Sequence, residues 1–135
     1  MAEESNGARP FVRVARIAGK GRGVVADRRL AEGDVIDRAP VIVIPASDWP
    51  LIQETVVSRF CFCWRDGADD TAVALGIGSL MNHSYSPNAF SQRRIRERVM
   101  EFIALRDIEE GEEITLNYNG DPEGRDPVGF TVRDP

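Results

Sequence analysis

The stretch LGIGSLMNHSYSPNAF, from Leu75 to Phe90, is the least ordinary part of the chain. An apolar run interrupted by Gly76 and Gly78 leads into a segment crowded with Asn, Ser, His and Pro. Glycine permits close backbone approach or a positive φ, and short Asn and Ser side chains bond to nearby backbone. The pattern favours a buried loop that satisfies its own polar groups beside a ligand. An exposed Asn/Ser/Pro turn is the alternative.

Two other segments share this unusual character. GEEITLNY, from Gly111 to Tyr118, predicts a turn followed by a strand that ends in one of only two tyrosines. KGRG, from Lys20 to Gly23, predicts a tight turn into a strand. It is not a dinucleotide-binding fingerprint, because Val24 stands where the last glycine of G-x-G-x-x-G would be.

Taken in order, KGRG, NHSYSPN and GEEITLNY resemble the signature motifs of SET-domain protein lysine methyltransferases. The resemblance covers roughly Val12 to Asn119 and is closest to the minimal, stand-alone type of bacteria and large viruses. It implies a mainly β, β-clip-like SET fold of several small sheets with few short helices. It also implies a C-terminal pseudoknot, in which the last strand passes under the loop that NHSYSPN forms. The expected organisation is an N-terminal disordered arm at residues 1–10, a SET domain at 11–119 and a tail at 120–135.

The same resemblance assigns the site residues. Tyr118 would be catalytic, with its hydroxyl beside the transferred methyl group of S-adenosyl-L-methionine, which becomes S-adenosyl-L-homocysteine. A core tyrosine without a chemical role is the alternative for Tyr118, and a general base is the alternative for His83, the only histidine. The cofactor contacts would come from Lys20, Gly21, Arg22, Gly23, Asn82, His83 and Tyr118, and the substrate channel from Tyr85, Leu116 and Phe130.

Methyl transfer to lysine makes three physical demands on such a site. The amine must lose a proton, against a free pKa of about 10.4, and the reacting atoms must lie in line. The interactions must also favour the transition state over the ground state. A narrow apolar channel that ends in a hydroxyl and a few carbonyls would meet these demands, because desolvation favours the neutral amine.

Composition limits the class of partner. The chain has 135 residues, enough for one core, and a formal net charge of −5. An acidic surface suits a lysine-containing basic protein, histone or histone-like, better than nucleic acid. No apolar run approaches the roughly 20 residues of a membrane helix, so the expectation is a cytoplasmic protein, with export as an effector left open. A catalytically silent SET module that binds a basic protein is the second functional hypothesis, and a cofactor-independent β-protein is the third.

Two departures from the larger SET enzymes affect how the channel would close. No zinc-binding cysteine cluster follows the tyrosine motif, and Tyr85 stands where many relatives have cysteine. We therefore predict no metal site, with Cys61 and Cys63 as reduced core residues. Phe130, Tyr85 or a second subunit in a homodimer would then cover the lysine channel.

Local patterns make three further predictions. Ser47 and Pro50 indicate a short helix running to about Thr55, with Ser47 as its cap. The segment Val56 to Trp64 has strand-like composition. ADRRLAEGDVI (26–36) and ALRDIEEGEEI (104–114) resemble each other at an offset of 78 residues, from Gly33 to Gly111. That similarity reflects either a common hairpin turn or a pseudo-twofold pair of β-units.

Overall fold

The structure is a computed structural model that describes residues 11–129 and 132. The predicted arm at 1–10 and the channel residue Phe130 lie outside the described residues. Within the described residues, helical structure is confined to α1 (Trp49–Ile52) and the 3-10 turns Ala46–Asp48, Val56–Phe60 and Ile77–Leu80. The strands are β1 (Val12–Ile17), β2 (Gly21–Ala26), β3 (Val35–Ile44), β4 (Cys61–Cys63), β5 (Thr71–Ala74), β6 (Asn82–His83), β7 (Ala89–Arg94), β8 (Val99–Ala104) and β9 (Glu113–Leu116).

The strands form two small sheets, which confirms the predicted mainly β fold. The first has the order β1-β2-β9-β6 and the second has the order β4-β5-β3-β8-β7. β9 runs antiparallel to β2 and parallel to β6. The first sheet therefore brings together GRG on β2, Asn-His on β6 and EITL on β9, although these segments are far apart in sequence.

The core explains the two glycines that interrupt the apolar run before β6. A Cβ on Gly78 would collide with the ring of Phe102, a fully buried residue of β8. A Cβ on Gly76 would collide with the Asp37 carboxylate, which accepts a hydrogen bond from the Gly78 amide at 2.9 Å. Both glycines thus allow the 3-10 segment to approach the second sheet closely, and neither has a positive φ.

The similar segments 26–36 and 104–114, named here the first and second β-units, are related by reciprocal hydrogen bonds. Leu30 N donates to Ile108 O, and Ile108 N donates to Leu30 O, both at 2.8 Å. Gly33 N donates to Ala104 O at 2.9 Å, and Gly111 N donates to Ala26 O at 2.8 Å. Each bond therefore has a counterpart 78 residues away, which supports the pseudo-twofold interpretation.

Three local predictions were wrong in detail. The helix is one turn at Trp49–Ile52, and its N-cap is Asp48 without a side-chain cap bond, so Ser47 does not cap it. The segment Val56–Phe60 is a 3-10 turn, and only Cys61–Cys63 of the predicted strand pairs, with β5. β-Propensity reflects packing on a sheet, and residues 56–60 have no neighbouring strand.

The glycine turn also lies earlier than predicted. Lys20 N donates to Ile17 O across the turn, and the paired strand already begins at Gly21.

The two cysteines are reduced, as predicted, but they are not core residues. Cys61 is half-buried and Cys63 is exposed, because the short β4 lies at the edge of its sheet. No helix in the described part of the chain has the length and apolarity that a bilayer crossing needs.

Candidate active site

The loop that follows β6 is buried and holds β9 in place. Ser84 and Asn88 are each at most 2% exposed. Ser84 N donates to Leu116 O at 2.8 Å, and Asn88 uses its side chain like a neighbouring strand. Its Oδ1 accepts from Thr115 N at 2.9 Å and its Nδ2 donates to Glu113 O at 2.8 Å. The loop is therefore buried, as predicted, but Ser84 N and the Asn88 side chain bond to β9 and not to their own loop. β9 lies between β6 and β2, as a pseudoknot requires.

Tyr118 lies two residues after the end of β9 and contacts Met81 and His83, on either side of Asn82. Its hydroxyl donates to Met81 O at 2.6 Å, and its backbone N donates to His83 Nδ1 at 2.9 Å. The His83 ring lies between two phenols, with centroids 4.5 Å from Tyr85 and 5.2 Å from Tyr118. The chain's two tyrosines and its histidine therefore form one aromatic group at the end of β9.

The Tyr118 phenol is strongly biased toward its neutral form. Burial first, and the negative charge of Glu113 second, raise the pKa of Tyr118 from 10.0 to about 12. The residue as a whole is 45% exposed, but its hydroxyl is turned onto the Met81 carbonyl, and the hydroxyl determines the pKa. At neutral pH Tyr118 is a hydrogen-bond donor and not a base.

The geometry of His83 argues against the general-base alternative. The side chain is buried, at 3% exposure. Its Nδ1 accepts the Tyr118 amide hydrogen, so the proton of a neutral imidazole is assigned to Nε2. A nitrogen that already accepts a backbone hydrogen bond cannot take a proton from a substrate without losing that bond. His83 thus positions Tyr118.

The strand β2, which carries GRG, approaches Asn82 and Glu113 closely. Gly21 has φ +85°, a left-handed conformation that favours glycine, and a Cβ there would contact nothing within 4 Å. Gly23 is different, because a Cβ would lie 2.6 Å from Asn82 Nδ2 and 2.8 Å from Glu113 Oε2. Glycine is therefore required at 23 by close approach.

A part-buried polar cluster of Lys20, Asn82 and Glu113 joins the three segments; we name it the Glu113 cluster. Lys20 Nζ donates to Glu113 Oε1 at 2.8 Å, with side chains 11% and 10% exposed. Asn82 Nδ2 donates to Glu113 Oε2 at 2.8 Å and to Arg22 O at 2.9 Å. The only lysine of the chain is thus enclosed in an ion pair.

Tyr118 also lines a cavity of about 480 Å³. Leu116 and Tyr118, two of the predicted site residues, line it together with Met81. The lining does not include the glycine strand, Asn82 or His83. Its other walls come from the 59–63 segment, from β7 and from the chain that follows Tyr118, namely Arg59, Phe60, Cys61, Phe62, Cys63, Ala89, Phe90, Ser91, Arg93 and residues 119–122.

The chain after Tyr118 is folded back against the site. Asn117 is buried, and its Nδ2 donates to Gly124 O at 2.8 Å. The Asp126 carbonyl accepts from Tyr85 Oη at 3.0 Å and from Asn119 Nδ2 at 3.1 Å. Tyr85 is therefore attached to the tail, and it does not line the cavity.

Most predicted site residues meet around β9, but sequence reasoning missed two polar ones. Glu113 reads as a turn acid in GEEI, and nothing in the local pattern distinguishes it from Glu112. Asn117 precedes Tyr118 in the strand predicted from the sequence, where a polar residue usually faces solvent. The available sequence signal was Lys20, the chain's only lysine, which lies inside the KGRG motif. In the structure Lys20 ion-pairs with Glu113.

Comparison with known proteins identifies the family. The family model of the SET domain matches residues 21–119. A histone-lysine N-methyltransferase of Schizosaccharomyces pombe, specific for H3 lysine-37, is 30% identical over 100 residues, 73% of this chain and 67% of that protein. An H3 lysine-36-specific histone-lysine N-methyltransferase of Cryptococcus neoformans is 45% identical over 53 residues, which are 38% of this chain and 6% of that protein.

Among solved structures, CpSET8 from Cryptosporidium has a TM-score of 0.65 at 23% sequence identity. The alignment covers 82% of this chain and 57% of that one. At this level of identity the similarity concerns the fold alone.

Proposed function

The chain belongs to the SET-domain family of protein-lysine N-methyltransferases, and we propose that it methylates lysine in a basic protein, histone or histone-like, with S-adenosyl-L-methionine as the methyl donor. One observation supports this most directly. Tyr118 is hydrogen-bonded to Met81 and His83, which border or belong to the Asn-His motif, and it also lines the cavity. A tyrosine that joins the proposed cofactor motif to a cavity is where transfer from a cofactor to a substrate would require it.

The residues beside Tyr118 have the chemistry to bind the cofactor's amino-acid end. Both hydrogens of the Asn82 carboxamide are used, by Arg22 O and by Glu113. What Asn82 has left is its oxygen, an acceptor suited to an α-ammonium group. Arg22 is exposed on β2, and its guanidinium suits a carboxylate. When bound, S-adenosyl-L-methionine would supply an electrophilic methyl group on a sulfonium.

Tyr118 would orient the reacting groups without accepting the amine proton. A phenol with a pKa of about 12 remains protonated at neutral pH, and His83 Nδ1 is occupied. The substrate amine would therefore lose its proton to solvent before transfer, assisted by the partly apolar lining, which disfavours a charged lysine. The residues of this chain would contribute positioning and desolvation.

We propose the 480 Å³ cavity as the place where the substrate lysine and its flanking peptide bind. Its rim carries Asp66 and Asp121 as well as Arg59 and Arg93, so the local lining has mixed charge. The net charge of −5 supports long-range attraction of a lysine-rich partner. The relatives whose names specify histone H3 support the same class of substrate.

The tail beyond Tyr118 is the candidate for closing the channel. Residues 119–122 form one wall of the cavity, and the Asp126 carbonyl is hydrogen-bonded by Tyr85 and Asn119. This arrangement favours the tail over a second subunit as the cover. Tyr85 would then act through the tail and not as a channel wall.

The test uses isotopically labelled S-adenosyl-L-methionine with the purified protein, core histones and a protein lysate, read by mass spectrometry. We expect label on lysine side chains of a basic protein. A protein that binds the cofactor in calorimetry but labels nothing would support the catalytically silent alternative. A protein that does not bind the cofactor would contradict the proposed function.

A further inference from the structure

Glu113 occupies the centre of the Glu113 cluster and does not line the cavity. One carboxylate oxygen accepts from Lys20 Nζ and the other accepts from Asn82 Nδ2, each at 2.8 Å. Its side chain is 10% exposed. A carboxylate this enclosed, with both oxygens engaged by different segments, determines how those segments face each other.

The chemistry of a carboxylate sets the orientation of its amide partner. An ionised carboxylate only accepts hydrogen bonds, so the Asn82 carboxamide must turn its NH2 group toward Glu113. The Arg22 carbonyl, also an acceptor, takes the second hydrogen at 2.9 Å. The Asn82 oxygen is consequently turned away from these two acceptors.

We propose that Glu113 is a positioning residue: held by Lys20, its carboxylate fixes the Asn82 carboxamide with the oxygen available to the cofactor. This inference rests on the proposed function, because it assigns Asn82 Oδ1 to that ligand. Lys20 then acts through its side chain, in addition to the backbone contact that the family resemblance implies. Gly23 completes the arrangement, since any side chain there would displace both Asn82 and Glu113.

The negative charge of Glu113 also acts on Tyr118, and this gives a second, independent signal. It is the second cause, after burial, of the raised pKa of Tyr118. Neutralising Glu113 should therefore lower that pKa, whereas a side chain that only fills space would not change it.

The experiment compares wild type with Glu113→Gln, which keeps the shape but can donate as well as accept. We expect the dissociation constant for S-adenosyl-L-methionine, measured by calorimetry, to rise about tenfold. Asn82→Ala provides the reference for complete loss of the carboxamide. Turnover at saturating cofactor should change less than threefold, and the pKa of Tyr118 should fall. The control is Glu110→Gln, an exposed turn acid three residues away.

Glu113→Gln alone leaves Lys20 as an enclosed, unpaired cation, which is destabilising. The double variant Lys20→Met/Glu113→Gln removes both charges, so it should fold and still lack the orienting carboxylate. A folded double variant that binds the cofactor as tightly as wild type would overturn the inference. So would rapid solvent exchange of the Asn82 side-chain amide protons in the wild-type protein, followed by NMR. Failure of wild type to bind the cofactor would instead contradict the proposed function, and the NMR and Tyr118 measurements would still test Glu113.

Discussion

The first and second β-units have the same backbone scaffold but lead into different strands. In each, the glycine has a positive φ, +88° at Gly33 and +84° at Gly111. The acid that follows also caps its own turn: Asp34 Oδ2 accepts from Ala31 N at 2.8 Å, and Glu112 Oε1 accepts from Glu109 N at 3.0 Å. The scaffold is therefore equivalent through the turn.

The units diverge at the next residue. After the first turn comes Val35, which is 47% exposed and begins the long strand β3. After the second comes Glu113, which bonds Lys20 and Asn82 at the start of β9. Function is thus associated with the strand that leaves the turn and not with the turn itself. Equivalent substitutions in the two units should lower the free energy of unfolding by similar amounts. Only substitutions in the second unit should change cofactor binding or catalysis.

The largest expected effect comes from the apolar residues at the centre of each unit. Leu30 and Ile108 are 1% and 0% exposed. Leu30→Ala and Ile108→Ala should each lower the free energy of unfolding by about 2–5 kcal/mol, because each leaves a cavity. Denaturant unfolding followed by circular dichroism measures this. Leu51→Ala, at a residue 77% exposed, is the control and should change stability by less than about 0.5 kcal/mol. A large difference between the two core variants would contradict the equivalence of the units.

The next effect sharpens the functional difference. The strand after the second unit leads to Tyr118, whereas Pro40 lies at the corresponding position of the first. Tyr118→Phe keeps the ring and removes the hydroxyl that donates to Met81 O. Turnover should fall at least tenfold, about 1.4 kcal/mol or more, with little change in cofactor affinity. Tyr85→Phe removes only the bond to the Asp126 carbonyl and should be milder. Near wild-type methylation by Tyr118→Phe would refute its catalytic assignment.

A matched pair of glycine substitutions separates the role of the backbone scaffold from that of the site, with a smaller expected loss of stability. A Cβ at Gly33 or at Gly111 would contact nothing within 4 Å, so alanine meets only the left-handed backbone conformation. Each substitution should destabilise the protein by about 1–2 kcal/mol. Calorimetry should show weaker cofactor binding for Gly111→Ala alone, because Gly111 lies two residues from Glu113. Equal weakening by Gly33→Ala would indicate that the units are not functionally distinct.

The smallest expected effect concerns acid stability. Burial would raise the pKa of Glu112, but hydrogen bonds from Arg106, the Glu109 amide and Asn88 outweigh it and lower the pKa below 4.5. A carboxyl with a depressed folded pKa contributes stability that is present above its unfolded pKa and is lost as the pH falls through the folded value. Glu112→Gln should therefore flatten the decline in unfolding free energy below about pH 4.5. An unchanged acid limb in urea unfolding would contradict this contribution.

The sequence by itself determined the family and the mainly β class, and it selected residues that the structure brings together around β9. Local chemistry was sufficient there, because Asn82, His83 and Tyr118 occur in motifs whose order and spacing are rarely produced otherwise. It also indicated that the loop at Ser84 and Asn88 is buried, but the expected bonds to nearby backbone are replaced at Asn88 by bonds to β9, 27 and 25 residues away. The repeated β-units were visible as well, because a positive-φ glycine after acidic residues is a local requirement.

Only the tertiary structure decided which of these residues contact each other. Nothing local in GEEI shows that Glu113 faces Lys20 and Asn82 while Glu112 faces Arg106 and Asn88. Those contacts span 93 and 31 residues in the first case, and they exist only because β9 inserts between β2 and β6. The exposure of Cys63 and the 3-10 turn at 56–60 were decided in the same way. Whether an apolar or β-branched residue packs depends on a neighbouring strand, and strand order is a property of the whole chain.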